Sequence, residues 1–177
     1  MKKQKTYANL IPHKIKVGTG LKTADDFQSA IKKSGKECEQ WASAVLQCQE
    51  FAAMISPVET EIELVAIPIG ELGFKKEYMN WPMYHEVLLT AQTPLFGLKM
   101  LPLEAGPQLM IQTGELTEEL SFFVASVSVS VSLEKKQERQ TVFRFDHFLG
   151  KPTLLGWDVY SKVVPTLPPD TLFIFGR

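Results

Sequence analysis

The sequence predicts an α+β fold, with an N-terminal helical hairpin, then a β-α-β unit leading into a mainly antiparallel sheet. Three observations carry that expectation. Residues 23–54 place apolar side chains at helical spacing, Phe122 to Leu133 alternates valine with serine, and short β-branched or aromatic runs between turn residues fill the last third. Helices first and strands afterwards is the order of an α+β domain.

Thr23-Ala-Asp-Asp26 is a capping-box-like start, with aspartate in place of the usual glutamate, and opens a short helix that stops at Ser34-Gly35. A second helix is expected from Lys36 to Met54, because Cys38, Trp41, Ala42, Val45 and Leu46 form one apolar stripe; Ser56-Pro57 ends it. Glu61 and Glu63 alternate with Ile62 and Leu64 ahead of Val65-Ala66-Ile67, which reads as a strand over 59–68. Gly70 and Gly73 bracket a turn. A helix over 78–92 follows, with Pro82 in its first turn and Tyr84, Val87, Leu88 and Ala91 as its core face. Residues 95–101 and 109–112 read as strands around the bend 102–107.

The long Ser/Val segment puts Val127, Val129, Val131 and Leu133 on one face and Ser126, Ser128, Ser130 and Ser132 on the other. Antiparallel sheets allow one face to be buried and one wet. Residues 134–140 form a polar connection, and a strand over 141–148 has Phe143 and Phe145 on one face, Arg144 and Asp146 on the other. Gly150-Lys-Pro152 is a turn, and strands over 153–160 and 171–175 complete the sheet.

The chain of 177 residues suits a single α+β domain over 23–177, with a helical part at 23–56 and a sheet part at 57–177, preceded by a basic, flexible arm at 1–22. The net charge of −1 hides an asymmetry. Six of the 19 basic residues (Lys2, Lys3, Lys5, Lys14, Lys16 and Lys22) fall in the first 22 positions with no acid among them, which leaves 13 basic against 20 acidic residues elsewhere, or −7. No apolar run follows Met1-Lys-Lys, so a secretory signal is not expected. No window approaches the ~18 apolar residues of a membrane helix. Cys38 and Cys48, if on one helix, stand ~15 Å apart, beyond disulfide reach, which suits a reducing cytoplasm.

The motifs for chemistry are incomplete. Gly18-Thr-Gly-Leu-Lys22-Thr23 resembles a phosphate loop, but Ile15 stands where the first glycine belongs and Leu21 separates Gly20 from Lys22. His85-Glu86 opens like a zinc-protease helix, but Leu89 occupies the second histidine position. His13, His85 and His147 stand at ligand spacing from neither one another nor the cysteines, so no metal and no cofactor is expected. No Gly-x-Ser-x-Gly elbow exists. Asp146 and His147 are adjacent on a strand and so face opposite sides; each could instead meet a residue from elsewhere, such as Glu104 on the bend. Tyr7 is the only aromatic near the basic arm, which argues against a stacking nucleic-acid surface. The Ser/Val segment has high β propensity and no charge, so it is expected to be central or covered.

Glu71-Leu-Gly-Phe74, the helix after it, Leu101-Pro-Leu-Glu-Ala-Gly-Pro-Gln-Leu109 and the closing Leu172-Phe-Ile-Phe175 resemble a family of small uncharacterised bacterial proteins, some of which carry a helicase label. The resemblance spans about residues 24–175 and implies a strand and Gly-Phe turn, a helix, a Cys-Pro-Ala-Glu-Val-Gly-Pro-type bend and several strands ending in an aromatic one. Glu104, Gly106 and Pro107 match the bend; Leu101 replaces its cysteine, and Met110 stands where a basic residue would follow. The family implies no established reaction, and the chain has neither a phosphate loop nor the length for two motor domains.

The expected function is accordingly that of a non-enzymatic, cytoplasmic protein-interaction domain of bacterial type, with another protein as its partner. The competing expectation is a small hydrolase or nuclease-like toxin using Glu104 with Asp146 or His147. A third is weak polyanion binding through Lys2, Lys3, Lys5, Lys14, Lys16 and Lys22. An enzyme brings at least two of its acid–base groups within hydrogen-bond reach. A contact domain shows an exposed apolar patch, and polyanion binding falls steeply with salt. No motif sets an oligomeric state.

Overall fold

A computed structural model describes residues 11–74, 83–116, 120–133, 137–160 and 167–177. It is a mixed α and β structure, with strands of both orientations in one sheet. The first helix, α1 (Ala24–Lys33), begins at the predicted cap: the Thr23 hydroxyl accepts the Asp26 N–H at 3.2 Å, and the Asp26 carboxylate accepts the Thr23 and Lys22 N–H groups. Phe27 and Ile31 are its buried face, and Gly35, at φ 78°, turns the chain out of it.

The helix predicted over 36–54 is instead three elements. Residues Glu37–Cys38 form a short strand, β2; α2 (Gln40–Gln47) follows; and a break at Cys48 separates it from α3 (Gln49–Ala53). The N–H of Phe51 donates to the Cys48 sulfur at 3.4 Å, which caps the restarted helix. Phe51 then lies edge-on to Phe27, with ring centroids 5.3 Å apart, and to Phe143 at 6.2 Å. The expected helical hairpin is therefore interrupted by a strand, because Glu37 and Cys38, shortly after the Ser34-Gly35 stop, pair with the sheet rather than continue a stripe.

The strands are β1 (Lys14–Val17), β3 (Thr60–Pro68), β4 (Phe122–Val124), β5 (Val129–Leu133), β6 (Gln137–Phe148), β7 (Lys151–Asp158) and β8 (Leu172–Gly176). They lie in the order β1-β3-β8-β4-β6-β7-β2, with β5 also paired to β6. The β2–β7 and β4–β8 pairings are parallel and the others antiparallel. One face carries Phe122, Val124, Phe143, Phe145 and Ile174 and packs with Phe27, Ile31, Val45, Phe51 and Leu109 of the helices. The other carries Phe123, Val142, Phe173 and Phe175. It packs with Tyr84, Val87, Leu88 and Ala91 of α4 (Tyr84–Ala91) and with the 3-10 turn Ile69–Leu72. Because both faces are covered there, β8 is buried along its whole length and reads as an unbroken apolar run.

Residues 14–17 thus belong to the sheet rather than to a flexible arm. The expected strands over 95–101 and 109–112 are absent. The first is irregular apart from a bridge between Lys99 and Gly176, and the second lies in α5 (Ala105–Gln112). Pro107, read as part of a bend, sits in the first turn of α5, where an N–H would have no helical partner. Gly106 lets α5 approach the sheet: a Cβ there would stand 2.4 Å from the Phe143 ring. The predicted helix start over 78–82, including Pro82, lies outside the described residues, as do Lys2, Lys3 and Lys5.

The Ser/Val segment is two strands, not one. Phe123 pairs with Arg144 and Val129 with Thr141, so six residue steps on this strand match three on β6. Three extra residues, an odd number, reverse the faces across the break. Ser126 is consequently fully buried, and Val127, expected in the core, is 38% exposed. Beyond the break the predicted alternation holds, with Val129 and Val131 buried. The Ser128 and Ser130 hydroxyls donate to Gln140 and Glu138 across the pair, so this face is bonded to its neighbouring strand.

Candidate functional site

Glu104 is buried at the start of α5, and its carboxylate accepts three hydrogen bonds: from the N–H of Gly18 (2.8 Å), the N–H of Ser56 (2.9 Å) and the Gln108 side-chain amide (3.0 Å). Gln108 also donates to the Thr19 hydroxyl at 2.7 Å. One turn on, Gln112 accepts the Lys16 N–H and donates to the Lys16 carbonyl and to Gln108. This polar ladder ties β1 and the segment around Ser56 to α5 and occupies backbone groups of a sheet edge. The loop that resembled a phosphate loop aims its Gly18 N–H at a carboxylate. Gly18 has φ 67°, and a Cβ there would meet the Val58 carbonyl oxygen at 2.2 Å.

Asp146 lies on the opposite face of β6 from the α5 contact at Phe143. It accepts from Arg144 (2.5 Å), from the His147 N–H (2.8 Å) and from the Ser121 hydroxyl (3.4 Å). The Arg144 guanidinium lies 4.7 Å from the Trp157 ring and 5.4 Å from Phe123, and burial lowers its pKa while Asp146 acts in the other direction. His147 shares the face of Phe145 and meets its ring edge-on at 5.5 Å; its buried Nδ1 has no hydrogen-bond partner among the described residues. No hydrogen bond or ion pair joins Glu104 to Asp146 or His147 among the described residues. His85 is exposed, and Glu86 beside it caps the Met83 N–H. Among the described residues no group of three His, Cys, Asp or Glu side chains could hold a metal ion.

Of the basic arm, Lys14 and Lys16 pair with Glu61 (2.7 Å) and Glu59 (2.8 Å) across the β1–β3 edge, and Lys22 is exposed ahead of the α1 cap.

Sequence reasoning did not single out two places. The first is a cleft of about 540 Å³ between the C-terminal end of α1, β2 and the start of β7, whose lining includes Lys32, Lys36, Glu37, Cys38, Ser43 and Lys151. Lys36 is only 6% exposed; its ammonium donates to the Thr113 carbonyl at 2.8 Å, and burial lowers its pKa. Glu37 pairs with Lys151 at 2.5 Å. Burial pushes the Cys38 thiol up to about 11, and the Ser43 hydroxyl donates to its sulfur at 3.6 Å. Lys36 follows a helix stop and carries no motif, so only its burial marks it.

The cysteine has a measurable consequence. An unfolded Cys38 ionises near 9 and a folded one near 11, so the folded state holds the extra proton between those values. That contribution to stability is complete below pH 9 and is lost as pH rises towards 11. Urea midpoints for the native chain should therefore fall across this window more steeply than those of Cys38→Ala; equal slopes in the two proteins would contradict the assignment.

The second place is the β6–β7 hairpin tip. Leu149 (φ 53°) and Gly150 (φ 76°) both have left-handed backbone, as a type I′ turn requires. Phe148 is 55% exposed and Leu149 88%. The turn expected at 150–152 begins one residue earlier, at Leu149-Gly150, and Lys151 and Pro152 already belong to β7.

No protein-family model, curated protein or solved structure matches the chain. Among the described residues no helix is long and apolar enough to cross a membrane.

Proposed function

We propose that this protein acts by contact with another protein, and that the Phe148–Leu149 tip is the contact. The observation that carries this reading is the leucine at a left-handed position of a solvent-facing turn. A branched apolar side chain is disfavoured there on two counts, by backbone sterics and by exposure to water, whereas Asn-Gly is the favoured pair for such a turn. Leu149 belongs to neither core cluster of the described residues. A residue that costs the isolated fold and gains nothing within it fits a role met outside it. Both thiols are free, which fits a reducing compartment such as the cytoplasm. The acid–base alternative would need Glu104 to leave three donors before meeting Asp146 or His147. The polyanion alternative would compete with the Glu59 and Glu61 pairs of two of its lysines.

The test substitutes Leu149→Asn. The isolated domain should gain about 0.5–1 kcal/mol in urea unfolding from relief of the turn. Proteins that co-purify with the native chain from its own cells should be lost with the variant. Undiminished capture by a stabilised Leu149→Asn protein would remove the tip from the contact.

A further inference from the structure

We propose that the cleft beside Lys36 binds a small molecule bearing a phosphate group, with Lys36 as the buried counter-charge. An ammonium has three N–H donors, and among the described residues Lys36 has one acceptor, the Thr113 carbonyl. No carboxylate lies within ion-pair distance of it among the described residues. Taking a cation out of water without a partner of opposite charge is among the costlier arrangements in a fold, and a bound anion is the direct compensation.

The surrounding charges point the same way. Lys32 and Lys151 line the same cleft, and the one acidic residue among its described lining, Glu37, is already paired with Lys151 at the exposed rim. The described lining thus carries an excess of two positive charges, which matches a phosphate monoester dianion better than a single carboxylate. The carbonyls at the end of α1 would oppose an anion, but those of Ala30, Ile31 and Lys32 are occupied by the N–H groups of Ser34, Gly35 and Lys36. Gln28 adds a neutral donor, and Ile31 an apolar wall. A volume of about 540 Å³ lies within the range of small-molecule sites and exceeds what inorganic phosphate alone would fill. The site does not depend on the hairpin tip being an interface.

Inorganic phosphate is the first probe, titrated into the full chain at constant ionic strength, with acetate as the carboxylate control. The expected result is a saturable rise in melting temperature and saturable NMR shifts at the amides of residues 35–38 and 113. Lys36→Met, which keeps the apolar stem and removes the charge, should weaken phosphate at least about tenfold. Because that variant also takes the donor from Thr113, Lys151→Gln at the rim serves as the second: it should fold normally and weaken phosphate several-fold. A non-saturating response in the native chain, equal responses to acetate and phosphate, or unchanged phosphate binding in both variants would overturn the proposal.

Discussion

Replacing Glu104 by glutamine should destabilise the protein by about 3 kcal/mol, although the two side chains have nearly the same shape. The carboxylate meets donors only: the Gly18 N–H and the Gln108 amide at Oε1, and the Ser56 N–H at Oε2. Glutamine must turn its NH₂ towards one of these oxygen positions. Placed towards Ser56 it opposes one N–H with another; placed towards Gly18 it opposes two donors at once. At least one N–H loses its acceptor in either orientation. The urea midpoint should fall with the m-value unchanged, and the Gly18 and Ser56 amides should exchange faster with solvent. A glutamine variant as stable as the native chain would show that the ladder does not hold β1 to α5.

That result also bears on what the carboxylate is for. A general base needs a free lone pair facing a substrate proton, and Glu104 is enclosed among three donors on the side of the sheet away from Asp146. The pattern is that of a structural carboxylate, holding two separate backbone segments to one helix start. Arg144 plays a related part on the other face, where Asp146 and two aromatic rings surround its charge.

Features that depend on local pattern were legible in the sequence. The Thr23–Asp26 capping box, the β3 strand, the shared face of Phe143 and Phe145, and the closing aromatic strand all follow from periods of two or four and from cap chemistry. What was not legible depends on partners distant in the chain. Residues 36–38 carry helical spacing yet leave the helix because Glu37 and Cys38 pair with Thr153 and Leu154. Residues 109–112 read as a strand because Leu-Met-Ile is short and apolar, and only the packing of Gly106 on Phe143 identifies a buried helix. The candidate site is hidden for the same reason: Lys36 is marked by its burial and by the Thr113 carbonyl, 77 residues away.

The break in the Ser/Val segment leads to the second large effect. Where β4 stops, Val124 and Ser126 turn backbone groups away from regular pairing, and the Tyr84 hydroxyl of α4 meets them. It accepts the Ser126 N–H at 3.0 Å and lies 2.8 Å from the Val124 carbonyl and 3.0 Å from that of Ser126, either of which can take its proton. Burial holds its ionisation well above the ordinary tyrosine value, so it remains a donor as well as an acceptor at neutral pH. Tyr84→Phe keeps the ring against Phe123 and Phe173 and removes only the oxygen. The Ser126 N–H would keep only its bond to the Val124 carbonyl at 2.9 Å, and a nearby carbonyl would lose the tyrosine donor, a cost of about 1–2 kcal/mol. If the hydroxyl also determines where the three extra residues sit, hydrogen exchange at Ser126 and Val127 should accelerate more in this variant than exchange at Val131, which is paired in the regular part of β5. Uniform acceleration along 122–133 would mean that the break is fixed by the strand pairings alone, and an unchanged urea midpoint would mean that the hydroxyl contributes nothing to holding it.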